Sequence, residues 1–563
     1  MVHKQNLLQK SVLLCLIVLF FAPSFATFKI LIQSIFELVS WQSVFFNRAY
    51  QQSLYLSLFT GIASFFIALV WAFMVIGFYF QHHHLKKLGR IIPKMLALPH
   101  AAFAIAFLYL IAPSGWLIRL VSPWATGFEY PPDWTTSQDP YGISLILILA
   151  AKETPFLIWT GLTLLHQTDF QASLRQQFLI AQTLGYSPKA SYWKIIVPQL
   201  AAKLLWPFLA VWAYSLTVVD MALIMGPTNP PTLAIQSWSL LQDADLHKNQ
   251  EGIVLAFILG LLIVLVAGLF YLLSQTLGWR NLLLNGPVVA TKTPSPSAIA
   301  SYLLKWSGLQ KLQSIGFAVF SLQLIYILLL LILLIASFSG VWTFPNLWPQ
   351  ELSWLAWQSL AGNLDRSLDT FYLAIGSAFT ALILSIVWLE IAPAALDQKI
   401  RPFILMSLVL PPLLWVIGLH QLSLWLEIKS YFFAVYLSHS LMALPYVLIS
   451  LSPAYQHFDR RWAIVTASLG HSFMGFVLRV KWPLLKSAIV RSFAVGFAVS
   501  VAQYLPTVYL GAGRINSLST EAIALSASGQ RSLSSTYALV LCGFVFLMFY
   551  LSEQLAQPRK FKS

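Results

Sequence analysis

Two stretches of the chain decide how it is organised. Their sequences are LIAQTLGYSPKASYWKIIVPQL (residues 179–200) and IVTASLGHSFMGFVLRVKWPLL (residues 464–485). Gly185 of the first is matched by Gly470 of the second, and Pro198 by Pro483, both at an offset of 285 residues. The spacing between glycine and proline is therefore the same in both stretches. This self-similarity predicts a chain built from two repeated halves.

Apolar runs long enough to cross a membrane surround both stretches. Of the 563 residues, 58% are hydrophobic and only 9% are Asp, Glu, Lys or Arg, which excludes an ordinary soluble domain. A helix satisfies every backbone N–H and C=O within its own segment, as the lipid interior requires. We therefore predict an all-α polytopic membrane protein with about twelve transmembrane helices. The predicted spans cover residues 11–27, 51–79, 95–113, 141–165, 201–225, 251–275, 315–338, 367–392, 403–425, 430–452, 487–510 and 535–555.

A polar segment separates six of these spans from the other six. It contains Gly286, Pro287 and the run TKTPSPS, and it carries four basic residues without an acidic one. The predicted boundaries are a first six-helix half over residues 1–275, a cytoplasmic linker over 276–314 and a second half over 315–563. An even number of spans in each half gives both halves the same orientation. Parallel repeats of this kind leave a pathway between them.

The net charge of +15 is distributed unevenly across the predicted membrane. With the N-terminus inside, the cytoplasmic segments hold 24 Lys plus Arg against three acids, and the outer segments hold 8 basic and 10 acidic residues. The positive-inside rule explains this asymmetry and predicts that both termini are cytoplasmic. Topology and lipid headgroups therefore account for the charge, and no nucleic acid is expected as a partner. The basic, apolar start of the chain could mimic a signal peptide, but an uncleaved first helix keeps the two halves equal.

The two stretches resemble the cytoplasmic signature of binding-protein-dependent ABC importer permeases. The family pattern is Glu-Ala-Ala, three residues, Gly, nine residues, Ile, any residue, Leu, Pro. The fused two-half chain is most similar to the permeases for ferric iron, thiamine and related solutes. Ala181 matches the last residue of the Glu-Ala-Ala triplet. At the first position of the triplet, where the family has glutamate, this chain has Leu179 in the first half and Ile464 in the second. The rest of the family pattern, from its glycine to its proline, is matched in the first half by Gly185, Ile195, Val197 and Pro198. In the second half it is matched by Gly470, Val480, Trp482 and Pro483.

The resemblance implies a permease subunit of an inner-membrane importer in bacteria. In the family, a cytoplasmic ATPase dimer docks on these loops, an external solute-binding protein delivers a small solute, and alternating access moves it inward. The chain has no phosphate-binding loop, so we expect no enzyme activity and no bound cofactor or metal, with ATP and Mg on the ATPase. The residues expected to couple to the ATPase are Ala181, Gly185, Lys189, Lys194, Ile195, Pro198, Gly470, Arg479, Val480, Lys481 and Pro483.

The first loop is predicted to be a rigid elbow of two helices. A helix that begins near Gln177 should stop at Gly185, since glycine accepts the left-handed conformation that ends helices. A second helix should begin at Pro188, a favourable first helical position, and should end at Pro198.

Four residues inside or near predicted spans are candidates for the translocation pathway. Lys152 and Glu153 lie in the middle of the fourth span, where they either line a polar path or form a structural ion pair. Asp220 and Gln503 lie at near-equivalent positions in the fifth span of each half. A transporter driven by an ion gradient is the main alternative. It would need a coupling-ion site, and the sequence offers only isolated acids.

Overall fold

The computed structural model describes residues 2–82, 84–276, 314–459 and 461–557. These residues form helices and, apart from two isolated bridges, no β-structure. The helices of the first half are α1 (Val2–Ile35), α2 (Leu38–Phe46), α3 (Arg48–Gln81), α4 (Leu85–Leu96), α5 (His100–Ile111), α6 (Trp116–Val121), α7 (Ile143–Leu165), α8 (Thr168–Thr183), α9 (Pro188–Ser191), α10 (Val197–Lys203), α11 (Leu205–Thr217), α12 (Asp220–Met225), α13 (Leu233–Leu241) and α14 (Leu246–Thr276). Those of the second are α15 (Ser314–Ser337), α16 (Leu355–Gly362), α17 (Leu364–Ile391), α18 (Ala394–Met406), α19 (Pro412–Trp425), α20 (Tyr431–Gln456), α21 (Arg461–Ser468), α22 (Phe473–Phe476), α23 (Trp482–Ala502), α24 (Leu505–Gly511), α25 (Leu518–Ala527) and α26 (Arg531–Ala556).

The predicted all-α, polytopic fold class is confirmed. Ten helices in the described ranges are long and apolar enough to cross a membrane, and a bent pair over Pro188–Lys203 and Leu205–Thr217 makes an eleventh. The remaining predicted span, over 403–425, does not form one long helix. Pro411 and Pro412 divide it, because proline lacks an N–H and disfavours helix at the residue before it, and α19 is only 14 residues long. Except for its two end residues, the predicted linker over 276–314 lies outside the described residues.

The two halves share the same pattern of packing, although the first half has the additional short helix α6 and its counterpart of α23 is divided into α10 and α11. In the first half, α3 packs against α7 and α11; in the second, α17 packs against α20 and α23. In the same way α13 packs on α14, and α25 packs on α26. Each half therefore surrounds its fifth span with equivalent neighbours.

The first helix of each half packs against the opposite half. α1 lies on α19, where the Thr27 hydroxyl donates to the Leu414 carbonyl oxygen at 3.3 Å. α15 lies on α3 and α5, and the Tyr326 ring contacts the Phe103 ring with centroids 5.1 Å apart. This exchange holds the two halves together through contacts between residues far apart in the chain.

Replacing Gly418 by Ala should loosen the contact between α1 and α19. A Cβ atom at this position would lie 2.0 Å from Thr27 Oγ1 and 2.7 Å from the Pro23 carbonyl oxygen. Overpacking of this kind costs roughly 1–3 kcal/mol. We expect a lower melting temperature for the purified variant in detergent. The control is Gly362→Ala at the end of α16, where nothing lies within 4 Å of the added Cβ. Equal melting of the two variants would contradict the close packing.

Candidate functional site

Each elbow begins with a helix that ends at a left-handed glycine. Gly185 has φ +89° and Gly470 has φ +80°. The backbone N–H of Tyr186 donates to the Ala181 carbonyl oxygen at 3.0 Å, which satisfies a carbonyl that the helix leaves unpaired. The predicted termination at Gly185 is confirmed. The predicted start near Gln177 is wrong, because α8 already begins at Thr168, where Asp169 in the first turn favours a helix N-terminus.

The second helix of each elbow begins with a serine cap. Ser187 Oγ accepts a hydrogen bond from the Ala190 N–H, and Ser472 Oγ accepts one from the Gly475 N–H, both at 3.2 Å. Pro188 is the first residue of α9, as predicted. The serines are separated by the same 285 residues as the glycines, so the two elbows share both the turn and the cap.

The prediction that Pro198 ends the second helix is wrong. Wide π-helical turns over Tyr192–Ile196 and Val477–Lys481 come before the proline in each half, and the helix then continues. A π turn inserts an extra residue, so the proline ring avoids the carbonyl that it would meet in an α-helix. In the second half Phe473–Ala502 forms one helix long enough to cross the membrane, whereas the first half bends by 73° between Lys203 and Leu205. No loop separates the second elbow from its fifth span.

The predicted coupling residues differ in exposure. Gly185, Lys189, Lys194, Gly470, Arg479 and Pro483 are exposed; Ile195, Val480 and Lys481 are half-buried; Ala181 and Pro198 are buried. Lys481 Nζ lies 2.8 Å from Glu390 Oε2 and 4.6 Å from the centre of the Tyr455 ring. The expectation that Lys481 pairs with a partner protein does not fit this structure, because its ammonium group already pairs within the chain.

The first elbow is anchored to α3 by one buried tyrosine. Tyr192 is fully buried, and its hydroxyl donates to the Phe73 carbonyl oxygen at 2.8 Å. Its ring lies against Gly77, where an added Cβ would come within 2.6 Å of Tyr192 Cε1. The fit of the ring on the glycine fixes the elbow relative to the membrane helices.

Shortening this anchor should weaken the first elbow. Tyr192→Phe removes one hydrogen bond, worth about 1 kcal/mol, whereas Tyr192→Ala also removes the packed ring at a cost of about 3–5 kcal/mol. We expect solute uptake by membrane vesicles to fall modestly for the first variant and severely for the second. Phe80→Leu, which keeps an apolar side chain beside the ring, is the control. Full uptake by Tyr192→Ala would contradict the role of the anchor.

The fifth span is interrupted at the same point in both halves. α11 ends at Thr217 and α12 begins at Asp220, while α23 ends at Ala502 and α24 begins at Leu505. Val218 and Gln503 have extended backbone between the two helices. Non-helical backbone at membrane depth is tolerated only where protein buries it or where it lines a cavity. These two breaks are the irregular points around which the candidate site is built.

Three charged groups surround the break in the first half, the buried Lys152 and Glu153 and the half-buried Asp220. Lys152 and Glu153 lie on α7 and are 4% and 8% exposed. Lys152 Nζ donates to the Leu98 carbonyl oxygen and lies 5.6 Å from the centre of the Phe103 ring. Within the described ranges, no carboxylate lies within 4.0 Å of this ammonium group, so the alternative of a direct ion pair with Glu153 is not seen. Lys152, Glu153 and Asp220 nevertheless interact electrostatically with one another.

The break in the second half contains an amide without partners. Gln503 is 9% exposed, and neither its side-chain nitrogen nor its side-chain oxygen has a hydrogen-bond partner among the described residues. A buried polar group left unsatisfied costs about 1–3 kcal/mol. An amide held in this way is available to water or to a polar group of a solute.

Sequence reasoning missed a histidine beside the same break. His439 on α20 has both ring nitrogens 2.9 Å from a hydroxyl, Nδ1 from Ser500 and Nε2 from Thr507. Ser500 lies before the break and Thr507 after it, so one imidazole joins both segments to α20. The signal was present in the sequence, since His439 is an ionisable residue inside a predicted span. The first half lacks this network, because Ala222 takes the place of Thr507.

The two halves meet beside these breaks in a row of aromatic rings. Trp238 of α13 contacts Tyr509 of α24 and Tyr504 of the break before it, with centroids 5.8 and 6.4 Å apart. Tyr509 contacts His420 at 4.9 Å. A cavity of about 390 Å³ borders the row at Tyr504. Its lining includes Leu223 of α12 and, from the second half, Tyr504, Val508, Gly513, Ile515, Asn516, Thr520, Glu521, Ile523, Ala524 and Ala527. Both broken helices therefore border one shared space.

Two helical repeats, each with an elbow joined to a broken span at a shared cavity, have the architecture of a two-fold membrane permease. No family model matches the chain. It is 31% identical to the inner membrane ABC transporter permease protein YnjC of Escherichia coli (strain K12), over 96% of this chain and 95% of that protein. It is 30% identical to the molybdenum transport system permease protein ModB of Mycobacterium tuberculosis (strain ATCC 25618 / H37Rv) and to that of Mycobacterium bovis (strain ATCC BAA-935 / AF2122/97), over 21% of this chain and 50% of each of those proteins.

The chain belongs to the family of ABC transporter permeases. The family predicted from the two elbows and the predicted permease function are thereby confirmed. A multi-pass location in the inner membrane follows from this family and from the apolar helices.

Proposed function

We propose that this chain is the fused permease subunit of an importer and moves a small solute inward by alternating access. The observation that carries the proposal is that each elbow leads, through a π turn, into a helix that breaks beside the shared cavity. In the second half, a movement imposed on the elbow reaches the break through continuous helical backbone, which is far stiffer than a loop; in the first half, it passes through the bend at Leu204. Such a connection suits two discrete arrangements of the halves, one open to each side.

The energy source in this proposal is a separate ATPase dimer, one subunit on each elbow. ATP and Mg bind to that partner, and this chain is neither an enzyme nor a cofactor-binding protein. Lys189, Lys194 and Arg479 support the docking, because each is exposed and none is in an ion pair within the described part of the chain. The elbows and both termini then face the cytoplasm, and a solute-binding protein delivers solute from the opposite side.

The proposed route passes between the two broken spans. Glu153, Asp220 and Lys152 contribute charge on the first half, and Gln503 contributes an unpartnered amide on the second. Charged groups are costly inside a membrane and usually mark a transport path. The arrangement gives the route one charged wall and one neutral, hydrogen-bonding wall.

A reconstitution experiment tests the proposal. The full-length chain is co-expressed with each ATP-binding-cassette ATPase of its source organism, and any complex that co-purifies is placed in proteoliposomes. We expect one ATPase to be recovered and its ATP hydrolysis to be stimulated by a solute and its binding protein. A catalytically inactive ATPase is the control. Solute uptake that follows an ion gradient and ignores ATP would overturn the proposal in favour of a secondary transporter.

A further inference from the structure

Another cavity, of about 590 Å³, lies where the loops that follow α5 and α15 meet the start of α26. We call it the arginine cavity, because Arg119 of α6 and Arg531 of α26 both line it. None of its described lining residues is acidic, and several carry a hydroxyl group. The hydroxyl-bearing residues include Ser114, Ser339, Thr343 and Ser532. The cavity therefore combines positive charge with hydrogen-bond donors.

The two guanidinium groups lie side by side without a counter-charge. Arg119 Nε donates to the Ser114 carbonyl oxygen at 2.9 Å, and Arg531 Nη1 donates to the same oxygen at 3.3 Å. Among the described residues, neither guanidinium group has a carboxylate within 4.0 Å. Arg119 is only 4% exposed, and a buried arginine is normally paired with an acid. Two like charges that repel each other are thus held beside a space in which no acid balances them.

The two arginines differ in how much of their hydrogen-bonding capacity the protein uses. Arg119 also donates to three carbonyl oxygens of the loop after α15, those of Trp342, Thr343 and Asn346. Arg531 is half-buried, and its remaining bond is to the Ser114 hydroxyl. Its Nε donates to none of the described residues. Arg119 therefore holds the loop in place, whereas Arg531 keeps N–H groups free for a ligand.

The arginine cavity adjoins the shared cavity at the corner between α25 and α26. Ala527 lines the shared cavity, and Gly529, two residues further on, lines the arginine cavity. Because α23 runs from the second elbow to the break, the helices α24 and α25 that follow the break lie on the side away from the elbows. A solute that enters from that side meets the arginine cavity next to the proposed route.

Arg531 has no counterpart in the first half. The helices α14 and α26 begin at residues 246 and 531, which are 285 residues apart, as the elbow glycines are. Leu246 takes the place of Arg531, and Asp243 and Asp245 stand just before it, where the second half has uncharged residues. The repeated architecture alone therefore does not require an arginine at this position.

We propose that the arginine cavity binds a small divalent oxyanion of the sulfate type. Two guanidinium groups balance its charge, and the planar fork of arginine donates to two oxygens of one anion. The hydroxyl groups and the N-terminus of α26, which reaches the cavity at Ser532, add further donors. The site also names a solute class, since an oxyanion bound here stands beside the route; this part of the inference rests on the proposed function.

Calorimetric titration of sulfate into the full-length chain tests the site. The chain is held in phosphatidylcholine nanodiscs, and NaCl keeps the ionic strength constant, because salt screens the attraction. We expect saturable binding that Arg531→Gln weakens at least about tenfold, since bonds between charged groups are lost. Arg531→Lys keeps the charge without the fork and should bind with intermediate affinity. Lys429→Gln is the matched control, because it removes an exposed positive charge between α19 and α20 and should bind as wild type does.

Three results would overturn the site. The first is the absence of saturable sulfate binding by the wild-type chain. The second is equal weakening by Arg531→Gln and Lys429→Gln, which indicates attraction to diffuse surface charge. The third is loss of sulfate binding in phosphatidylglycerol nanodiscs, which indicates that the cavity holds a lipid headgroup. Melting temperatures show that each variant is folded, and Arg119 is left unchanged because its bonds hold a loop.

The solute class is tested separately in the reconstituted complex. We expect sulfate or a similar divalent oxyanion, with its binding protein, to stimulate ATP hydrolysis, and Arg531→Gln to reduce that stimulation. Stimulation only by solutes without negative charge would overturn the solute class. The calorimetry requires no ATPase, so failure to recover an ATPase contradicts the proposed function, whereas failure to bind sulfate contradicts only the inference drawn from the arginine cavity.

Discussion

Replacing Gly185 and Gly470 together by Val is expected to abolish uptake while the protein still inserts into the membrane. Both glycines have φ between +80° and +89°, a conformation that a β-branched residue adopts only under strain. Each substitution costs roughly 1–3 kcal/mol if the turn is kept. The elbow helices then change their angle, and the elbows no longer fit the ATPase of the proposed function. Uptake by vesicles, together with the amount of protein in the membrane fraction, measures the effect.

The surroundings of these glycines make the test specific to backbone conformation. At both positions nothing lies within 4 Å of an added Cβ, so a clash cannot explain a loss of uptake. Gly268 and Gly543 are equally open but lie within the helices α14 and α26. The matched control Gly268→Val/Gly543→Val should therefore transport normally. Normal uptake by the elbow variant would rule out a coupling role for the two turns.

Neutralising both central acids should reduce uptake by about ten- to a hundredfold. Glu153→Gln with Asp220→Asn keeps the shape of each side chain and removes its charge. A hydrogen bond to a charged group is worth about 1.5–3 kcal/mol, which corresponds to this range. The change leaves Lys152 buried without an opposing charge, which is itself strongly destabilising. A third substitution, Lys152→Met, removes this unpaired buried charge while the acids remain neutral.

The comparison of the double and triple variants separates transport from folding. If the acids line the route, the triple variant inserts normally but still transports poorly. If they only balance Lys152, the triple variant recovers both insertion and uptake, and the pathway assignment is wrong. Glu129→Gln with Asp133→Asn makes the same chemical changes on an exposed loop and is expected to have no effect. Uptake is measured per amount of membrane-inserted protein.

The elbows were largely predictable because they depend on local backbone chemistry. Glycine accepts positive φ and proline favours the first helical position, whatever surrounds them, and both rules held at Gly185 and Pro188. The rule that proline ends a helix failed at Pro198. A π turn that ends two residues before it makes room for the proline ring, and neither apolar periodicity nor residue type signals such a turn. The bend at Leu204 in the first half was also not predicted, because neither apolar periodicity nor residue type signals it.

The candidate route was only partly predictable because it depends on which side chains meet. Lys152 and Glu153 are sequence neighbours, and their spacing allowed a direct pair or a shared path. In the structure the ammonium group of Lys152 turns to the Leu98 carbonyl oxygen instead. His439 was overlooked, since its two hydroxyl partners lie 61 and 68 residues further along the chain. A contact between residues so far apart in the chain produces no periodic pattern in the sequence.

The amino-acid sequence alone specified a membrane protein of two repeats with a matched pair of elbows. Hydropathy, charge asymmetry and turn chemistry are properties of short segments, so they can be read without knowing the fold. Tertiary packing alone decided that α1 lies on the second half, that both fifth spans break at a common cavity, and that Lys481 pairs with Glu390. These features join groups from separate helices, and their formation depends on how those helices rotate and approach each other.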